Sequence, residues 1–239
     1  MIGNEFEWGG FKGIDFDYDG LNAKLVRPNV KSNGKWALKT EYFDAFPEVE
    51  IELLNRGWHI AYNKNYDRWA QDRDVIRKCD FIKYISSEFK LDKKCAIIGM
   101  SCGGMYGVKV ASIVPELISA LYLDAPVINL LSCPCGLGVA TDSLFEEFHG
   151  FTGKSKSQML SYRDNPLDKL DILVDNKIPV ILVAGDSDTV VPYCENGALV
   201  EEYYKNNGGH IEVHIKPGCG HHPHGLVDSK IIANFLGRF

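Results

Sequence analysis

Residues 95–114 read CAIIGMSCGGMYGVKVASIV, an apolar run that passes through one serine and several glycines into a helix-like pattern. The apolar run Cys95 to Met100, with Gly99 within it, has the length and branching of a buried strand. The residues from Gly103 onward space their apolar side chains as a helix does. Almost no polar loop separates the two, so the chain must turn sharply at Ser101. Gly99-Met100-Ser101-Cys102-Gly103 is G-x-S-x-G. A serine held at the tip of a strand-to-helix turn has crowded neighbours, which is why the flanking positions need glycine. Such a turn lifts Oγ out of the sheet and aims the first N–H groups of the helix at the same point, where a developing oxyanion can be held.

A serine hydroxyl is a weak nucleophile without a base beside it and a third group to orient that base. Downstream, VILVAGDSDTVVP ends a buried strand at Gly185 and carries Asp186 and Asp188 on the loop that follows. KPGCGHHPHGL sets His221, His222 and His224 in a glycine-rich loop before the last helix. The chain therefore offers serine, acid and histidine in that order.

The rest of the chain alternates strands with helices. GIDFDYDG, NAKLVRP, KWALKT and GWHIAYN read as short strands, the first of them as antiparallel hairpins at one sheet edge. Pro47 followed by acidic residues, with Gly57 at the far end, marks a helix. Over 70–89, Val75, Ile76, Cys79, Ile82 and Ile85 fall at helical spacing. ISALYLDAPV, IPVILVAGD and HIEVHIKPG supply further strands, and ENGALVEEYYKNNGG and LVDSKIIANFLGRF further helices. This pattern predicts an α/β fold whose mostly parallel sheet has helices on both faces. Residues 127–172 interrupt the alternation and are expected to form a small cap-like insertion over the C-terminal edge of the sheet, within a single domain spanning 1–239.

Composition narrows the function. At 45% hydrophobic and 24% charged, 239 residues can bury a substantial core. A net charge of −6 with no basic block argues against a nucleic-acid or anionic-membrane binder. The N-terminus MIGNEFEWGGFKG has neither the basic nor the apolar region of a signal peptide, and nothing later reaches the length of a membrane span. Seven cysteines without scaffold spacing read as free thiols and a cytoplasmic protein.

The elbow GMSCGG, the acid loop GDSDTVVP and the histidine loop GCGHHPHG resemble those of the α/β-hydrolase superfamily from about Gly13 to Phe239. DAPV, residues 124–127, is similar to the same stretch in compact bacterial hydrolases and esterases, some found near carbohydrate-processing systems. The resemblance implies the α/β-hydrolase fold with Ser101 as nucleophile, Asp188 as acid and His221 as base. Asp186 is the alternative acid, with a loop hydrogen-bonding role otherwise. His222 and His224 are then structural or pocket-lining. A zinc site on Cys219, His221, His222 and His224 is bunched too tightly for a tetrahedral set without a distant partner, so no metal is expected. The oxyanion hole should use the N–H of Cys102 and one from the WALKTEYF segment, with Thr40 and Glu41 as candidates.

The expected reaction is acyl transfer from an ester to water, with no cofactor. Because the base must be neutral, kcat/KM should fall on acidification, at about pH 6 to 7 for an ordinary histidine. The loop YNKNYDRWA, with Tyr62, Asn65, Tyr66, Arg68 and Trp69, offers groups that bind a polar substrate such as a sugar. Phe145, Phe148 and Phe151 in the insertion either shape an acyl pocket or anchor the insertion. A short chain without an extended apolar lid favours a small acyl group. The expected substrate is an acetylated small molecule or oligosaccharide. The rivals are a prolyl-oligopeptidase-like peptidase, for whose gating domain the chain has little room, and a ligand receptor on a hydrolase scaffold. Oligomeric state is not legible here.

Overall fold

The strand and helix that meet at Ser101 are the centre of the architecture. A computed structural model describes residues 3–141 and 143–239. Its strands are β1 (Asn4–Trp8), β2 (Phe11–Tyr18), β3 (Leu21–Val26), β4 (Trp36–Lys39), β5 (His59–Asn63), β6 (Cys95–Met100), β7 (Ile118–Asp124), β8 (Val180–Gly185) and β9 (Ile211–Lys216). Its helices are α1 (Glu48–Asn55), α2 (Asp72–Phe89), α3 (Cys102–Ile113), α4 (Phe145–Thr152), α5 (Lys156–Met159), α6 (Leu170–Asp175), α7 (Gly197–Asn206) and α8 (Ser229–Gly237). The strands form one sheet in the order β1-β2-β3-β5-β4-β6-β7-β8-β9. The N-terminal meander β1-β2-β3 and the β3/β5 pair are antiparallel, and every pairing from β5 through β9 is parallel. The edge hairpins and parallel body match the reading of the sequence.

Central strands covered on both faces should be apolar throughout, and β6 and β8 are buried at every position. One core lies under α2, α3, α6 and α7, where Phe81, Ile82, Tyr106, Leu173 and Val200 pack. The opposite core lies under α1 and α8, where Leu53, Leu54, Ile232 and Phe235 pack. Helix α2 departs from expectation at Ile76, which is 54% exposed, whereas Phe81 is fully buried. Val75, Cys79, Ile82 and Ile85 define the inward stripe, and Ile76 sits about 100° around the helix from Val75. No helix among the described residues is long and apolar enough to cross a membrane.

The segment between β7 and β8 folds against the acid loop. The Asn196 side chain accepts from the N–H groups of Ile128 and Asn129, at 3.0 Å each. Glu195 accepts from Ser132 Oγ at 2.6 Å and from the Val139 N–H at 2.7 Å. Of the three phenylalanines, Phe148 is buried edge-on against Trp69 and Phe151 is half exposed. They serve mainly as anchors, and Ser143 and Leu144 are the insertion residues that reach the central cavity.

Candidate active site

Ser101 has φ 51° and ψ −122°, a left-handed backbone for a residue with a side chain. Such a conformation costs on the order of 1–3 kcal/mol and persists only where the surroundings hold it. Here the Ser101 N–H donates to Asp124 O at 2.9 Å, and Ser101 O accepts from the N–H groups of Gly104 and Val127. The glycines are needed for space. A Cβ on Gly99 would lie 2.7 Å from Gly103 O, and one on Gly104 would lie 2.4 Å from Pro126 Cβ.

Helix α3 starts at Cys102, β8 ends at Gly185, and the loop after β9 closes over both. A Cβ on Gly185 would sit 2.2 Å from Cys219 O, so this glycine lets the histidine loop lie directly on the strand end. His221 Nδ1 donates to Asp188 Oδ2 at 2.7 Å, and Ser101 Oγ lies 3.0 Å from His221 Nε2, positioned to donate. Asp188 Oδ1 accepts from the N–H groups of Val190 at 2.8 Å and Val191 at 2.9 Å. Burial pushes the Asp188 carboxyl up, but the hydrogen bonds from His221 and these amides outweigh it and hold the group below the ordinary aspartate value. Asp186 instead accepts from Gly218 N–H and Ser187 Oγ, a loop-bracing role.

A second aspartate–histidine pair stands beside the first. His224 Nδ1 donates to Asp124 Oδ1 at 2.7 Å, while Asp124 Oδ2 accepts from Tyr122 Oη at 2.5 Å and Gly225 N–H at 2.6 Å. This fully buried carboxylate ties the end of the histidine loop to β7. His222 is exposed and stacks on Phe46. Partial burial and the neighbouring imidazoles of His221 and His224 pull its pKa down.

The Thr40 reading is corrected by the structure. Its N–H donates to Ile98 O at 3.1 Å, continuing the β4/β6 ladder, and its hydroxyl donates to Gly103 O at 2.7 Å. No backbone acceptor is assigned to the N–H of Glu41 or of Cys102 among the described residues. The Glu41 nitrogen lies 3.5 Å from where a Cβ on Gly103 would be, beside the start of α3. Asn65 fixes this segment by donating to Thr40 O at 3.0 Å and to the Glu41 carboxylate. Burial raises the Cys102 thiol to about 11, so it stays protonated.

The cavity at Ser101 has a volume of about 500 Å³ and is lined by Tyr42, Phe46, Arg68, Leu144, Val190 and His222, among others. None of Tyr62, Asn65, Tyr66 and Trp69 lines it, which corrects the reading of that loop. Tyr62 packs on Phe43 in the core, Asn65 braces the β4 exit, Trp69 packs on Phe148, and Tyr66 lies on the surface under Arg73. Arg68 is the loop residue that enters the cavity, and it also pairs with Glu147 of α4. Tyr42 was not singled out by the sequence. Its φ of 55° turns the chain just after Glu41, and burial, with the Cys102 thiol as a neighbour, pushes its hydroxyl pKa up. No sequence signal marks a left-handed tyrosine.

Residues 55–235 match the model of the prolyl oligopeptidase family. Among solved structures, the chain is similar to an acylaminoacyl peptidase from Pyrococcus horikoshii, at 14% identity and a TM-score of 0.70, over 99% of this chain and 41% of that one. It is similar to a puromycin hydrolase at 17% identity and a TM-score of 0.68, over 93% of this chain and 37% of that one. A truncated carbohydrate esterase from gut microbiota superposes with a TM-score of 0.70 at 15% identity, over 91% of this chain and 90% of the other. The chain thus spans about two fifths of the length of the acylaminoacyl peptidase and of the puromycin hydrolase. The architecture is the α/β-hydrolase fold that the three sequence motifs resemble.

Proposed function

Because this chain belongs to the prolyl oligopeptidase family of serine hydrolases, we propose that it hydrolyses a carboxylic ester through an acyl-enzyme on Ser101, with His221 as base and Asp188 as its orienting acid. The observation that carries the reading is the continuous line from Asp188 to His221 to Ser101, at 2.7 and 3.0 Å, opening on the cavity.

Ser101 Oγ attacks the ester carbonyl carbon while its proton passes to His221 Nε2. The tetrahedral oxyanion is held by the N–H of Cys102, with the Glu41 N–H as the second donor. Collapse expels the alcohol, which takes the proton from His221. Water then attacks the acyl-enzyme by the same path in reverse, releasing the acid and restoring Ser101. Asp188 keeps the Nδ1 proton in place throughout, so whenever His221 is neutral its Nε2 presents the lone pair, to Ser101 in the free enzyme and to water in the acyl-enzyme.

We take the acyl group to be small, such as acetyl, which leaves most of the cavity of about 500 Å³ for the alcohol part, with Arg68 and Ser143 as polar contacts. The carbohydrate esterase matched over nine tenths of both chains supports a sugar-derived ester. The peptidase neighbours favour a second reading, cleavage of a peptide or acyl amide. Matched p-nitrophenyl esters and aminoacyl p-nitroanilides separate the two. The expected result is kcat/KM highest on the acetate ester and at least about 10²-fold lower on every anilide, a gap of about 2.7 kcal/mol in activation free energy. Faster anilide cleavage would establish the peptidase reading instead. We further propose a cytoplasmic location and a small-molecule or oligosaccharide ester as the partner.

The acid limb of the pH profile follows from Asp188. Its carboxyl is held below the ordinary range, so it stays ionised while the base protonates. The acid limb of log kcat/KM should therefore have a slope of about 1, one proton lost per active site. A slope of about 2 above pH 5 would mean that the acid titrates along with the base.

A further inference from the structure

One ring nitrogen from each of His221, His222 and His224 lies within 4.8 Å of those of the other two. Their ring centroids are 4.8 to 5.0 Å apart. Two of the three rings are backed by carboxylates: Asp188 behind His221 and Asp124 behind His224, both at 2.7 Å from Nδ1. A carboxylate accepts only, so each Nδ1 carries the proton and each Nε2 a lone pair, which His221 turns to Ser101 Oγ at 3.0 Å. Carboxylate-backed imidazoles are how proteins present histidine to a transition metal, because the backing oxygen fixes the tautomer and makes the free nitrogen more basic. His222 is exposed and makes no hydrogen bond among the described residues, so its ring can turn to complete the set.

We propose that the three histidines form a binding site for a borderline divalent metal ion such as Zn²⁺, and that occupancy reversibly inhibits hydrolysis by removing the Nε2 lone pair of His221 from Ser101. The inhibitory half rests on the hydrolase reading; the site itself does not. Three nitrogen ligands select Zn²⁺, Ni²⁺ or Cu²⁺ over Mg²⁺ and Ca²⁺, which require oxygen. A tetrahedral ion with Zn–N of about 2.0–2.1 Å needs ligand nitrogens about 3.4 Å apart, so the rings close in by up to about 1.4 Å. His224 is buried and anchored on Asp124, and the exposed His222 supplies most of the movement. The fourth position faces the cavity and is filled by water. Each ligand binds as a neutral imidazole, so no proton leaves on binding. Ser101 keeps its own proton, for which the metal-bound His221 has no acceptor. Cys219, two residues ahead of the cluster, is not a member of it.

The test uses the tag-free Ser101→Ala protein, which retains all three rings, titrated with Co²⁺. One Co²⁺ per chain should give visible ligand-field absorption that Zn²⁺ displaces and Mg²⁺ does not. Adding His222→Asn to that background should weaken Co²⁺ binding at least about 10-fold, as loss of even an outer-shell partner does. In parallel, Zn²⁺ should inhibit ester hydrolysis by the wild type and a chelator should restore it. The inhibition constant of the His222→Asn single variant, measured against its own zinc-free rate, should rise by the same factor. Absence of the cobalt absorption, or equal affinity with and without His222, overturns the site. Cobalt absorption from a protein whose zinc-free wild type cleaves no ester or amide supports the site and overturns the hydrolase reading. Full ester hydrolysis with a silent cobalt titration does the opposite.

Discussion

Replacing Ser101 with alanine should lower kcat on p-nitrophenyl acetate by roughly 10⁵- to 10⁶-fold, about 7–8 kcal/mol of transition-state stabilisation. The size follows from what the side chain does. Its Oγ is the nucleophile that the His221 lone pair faces, at 3.0 Å. Without it, the cavity and the backbone donors can still stabilise attack by water, so a residue of activity persists above the uncatalysed rate. The fold should survive, because the hydrogen bonds that fix the Ser101 backbone do not involve its side chain: Ser101 N–H to Asp124 O, and Ser101 O from Gly104 and Val127. Thermal unfolding of the variant should therefore track the wild type while turnover collapses. A variant retaining more than about one tenth of wild-type kcat would remove Ser101 from the mechanism.

Asp188→Asn should cost about 10⁴-fold in kcat. Asp188 Oδ1 already accepts from two backbone N–H groups, so the amide oxygen of the new side chain takes that position and its NH₂ turns toward His221. An NH₂ can only donate, which forces the His221 proton from Nδ1 to Nε2. Nε2 then faces Ser101 Oγ as a donor and cannot receive its proton. The two variants are distinguishable by stability as well. The native Asp188 carboxyl is held below its ordinary value, so the stability contributed by its ionised form is present above about pH 4 and lost as the pH falls through the lowered value. In denaturant titrations the wild type should exceed the Asp188→Asn variant above that pH, and the gap should shrink below it. A gap independent of pH would mean that ionisation of Asp188 contributes nothing.

The parts of the site that the sequence made legible are those where backbone geometry demands a particular residue. Gly99, Gly104 and Gly185 each stand where a Cβ would strike backbone or Pro126, and that necessity is visible as a pattern of glycines around one serine and one acid loop. The apolar runs of β6 and β8, buried at every position, likewise announce themselves. What stayed hidden depends on register and on the direction of side chains leaving strand ends. Thr40 looked free for an oxyanion until the parallel β4/β6 pairing continued one residue further and took its N–H. In YNKNYDRWA, aromatic and amide side chains read as a sugar-binding loop, yet Tyr62 and Trp69 turn into the core and only Arg68 faces the cavity. Composition cannot separate these fates, because a long-range partner such as Phe148, 79 positions from Trp69, decides them.

The loop that follows β8 holds Asp188 at one end, and at the other end Glu195 and Asn196 grip the insertion that supplies Ser143 and Leu144 to the cavity. Alignment of the acid and shape of the binding space are thus set by one short stretch of chain. Divergence toward a bulkier substrate that loosens the insertion also loosens the imidazole's support. New specificity on this scaffold therefore carries a penalty in turnover until a second change re-seats the acid, and substitutions in 188–196 and in 128–144 should accumulate in compensating pairs rather than singly.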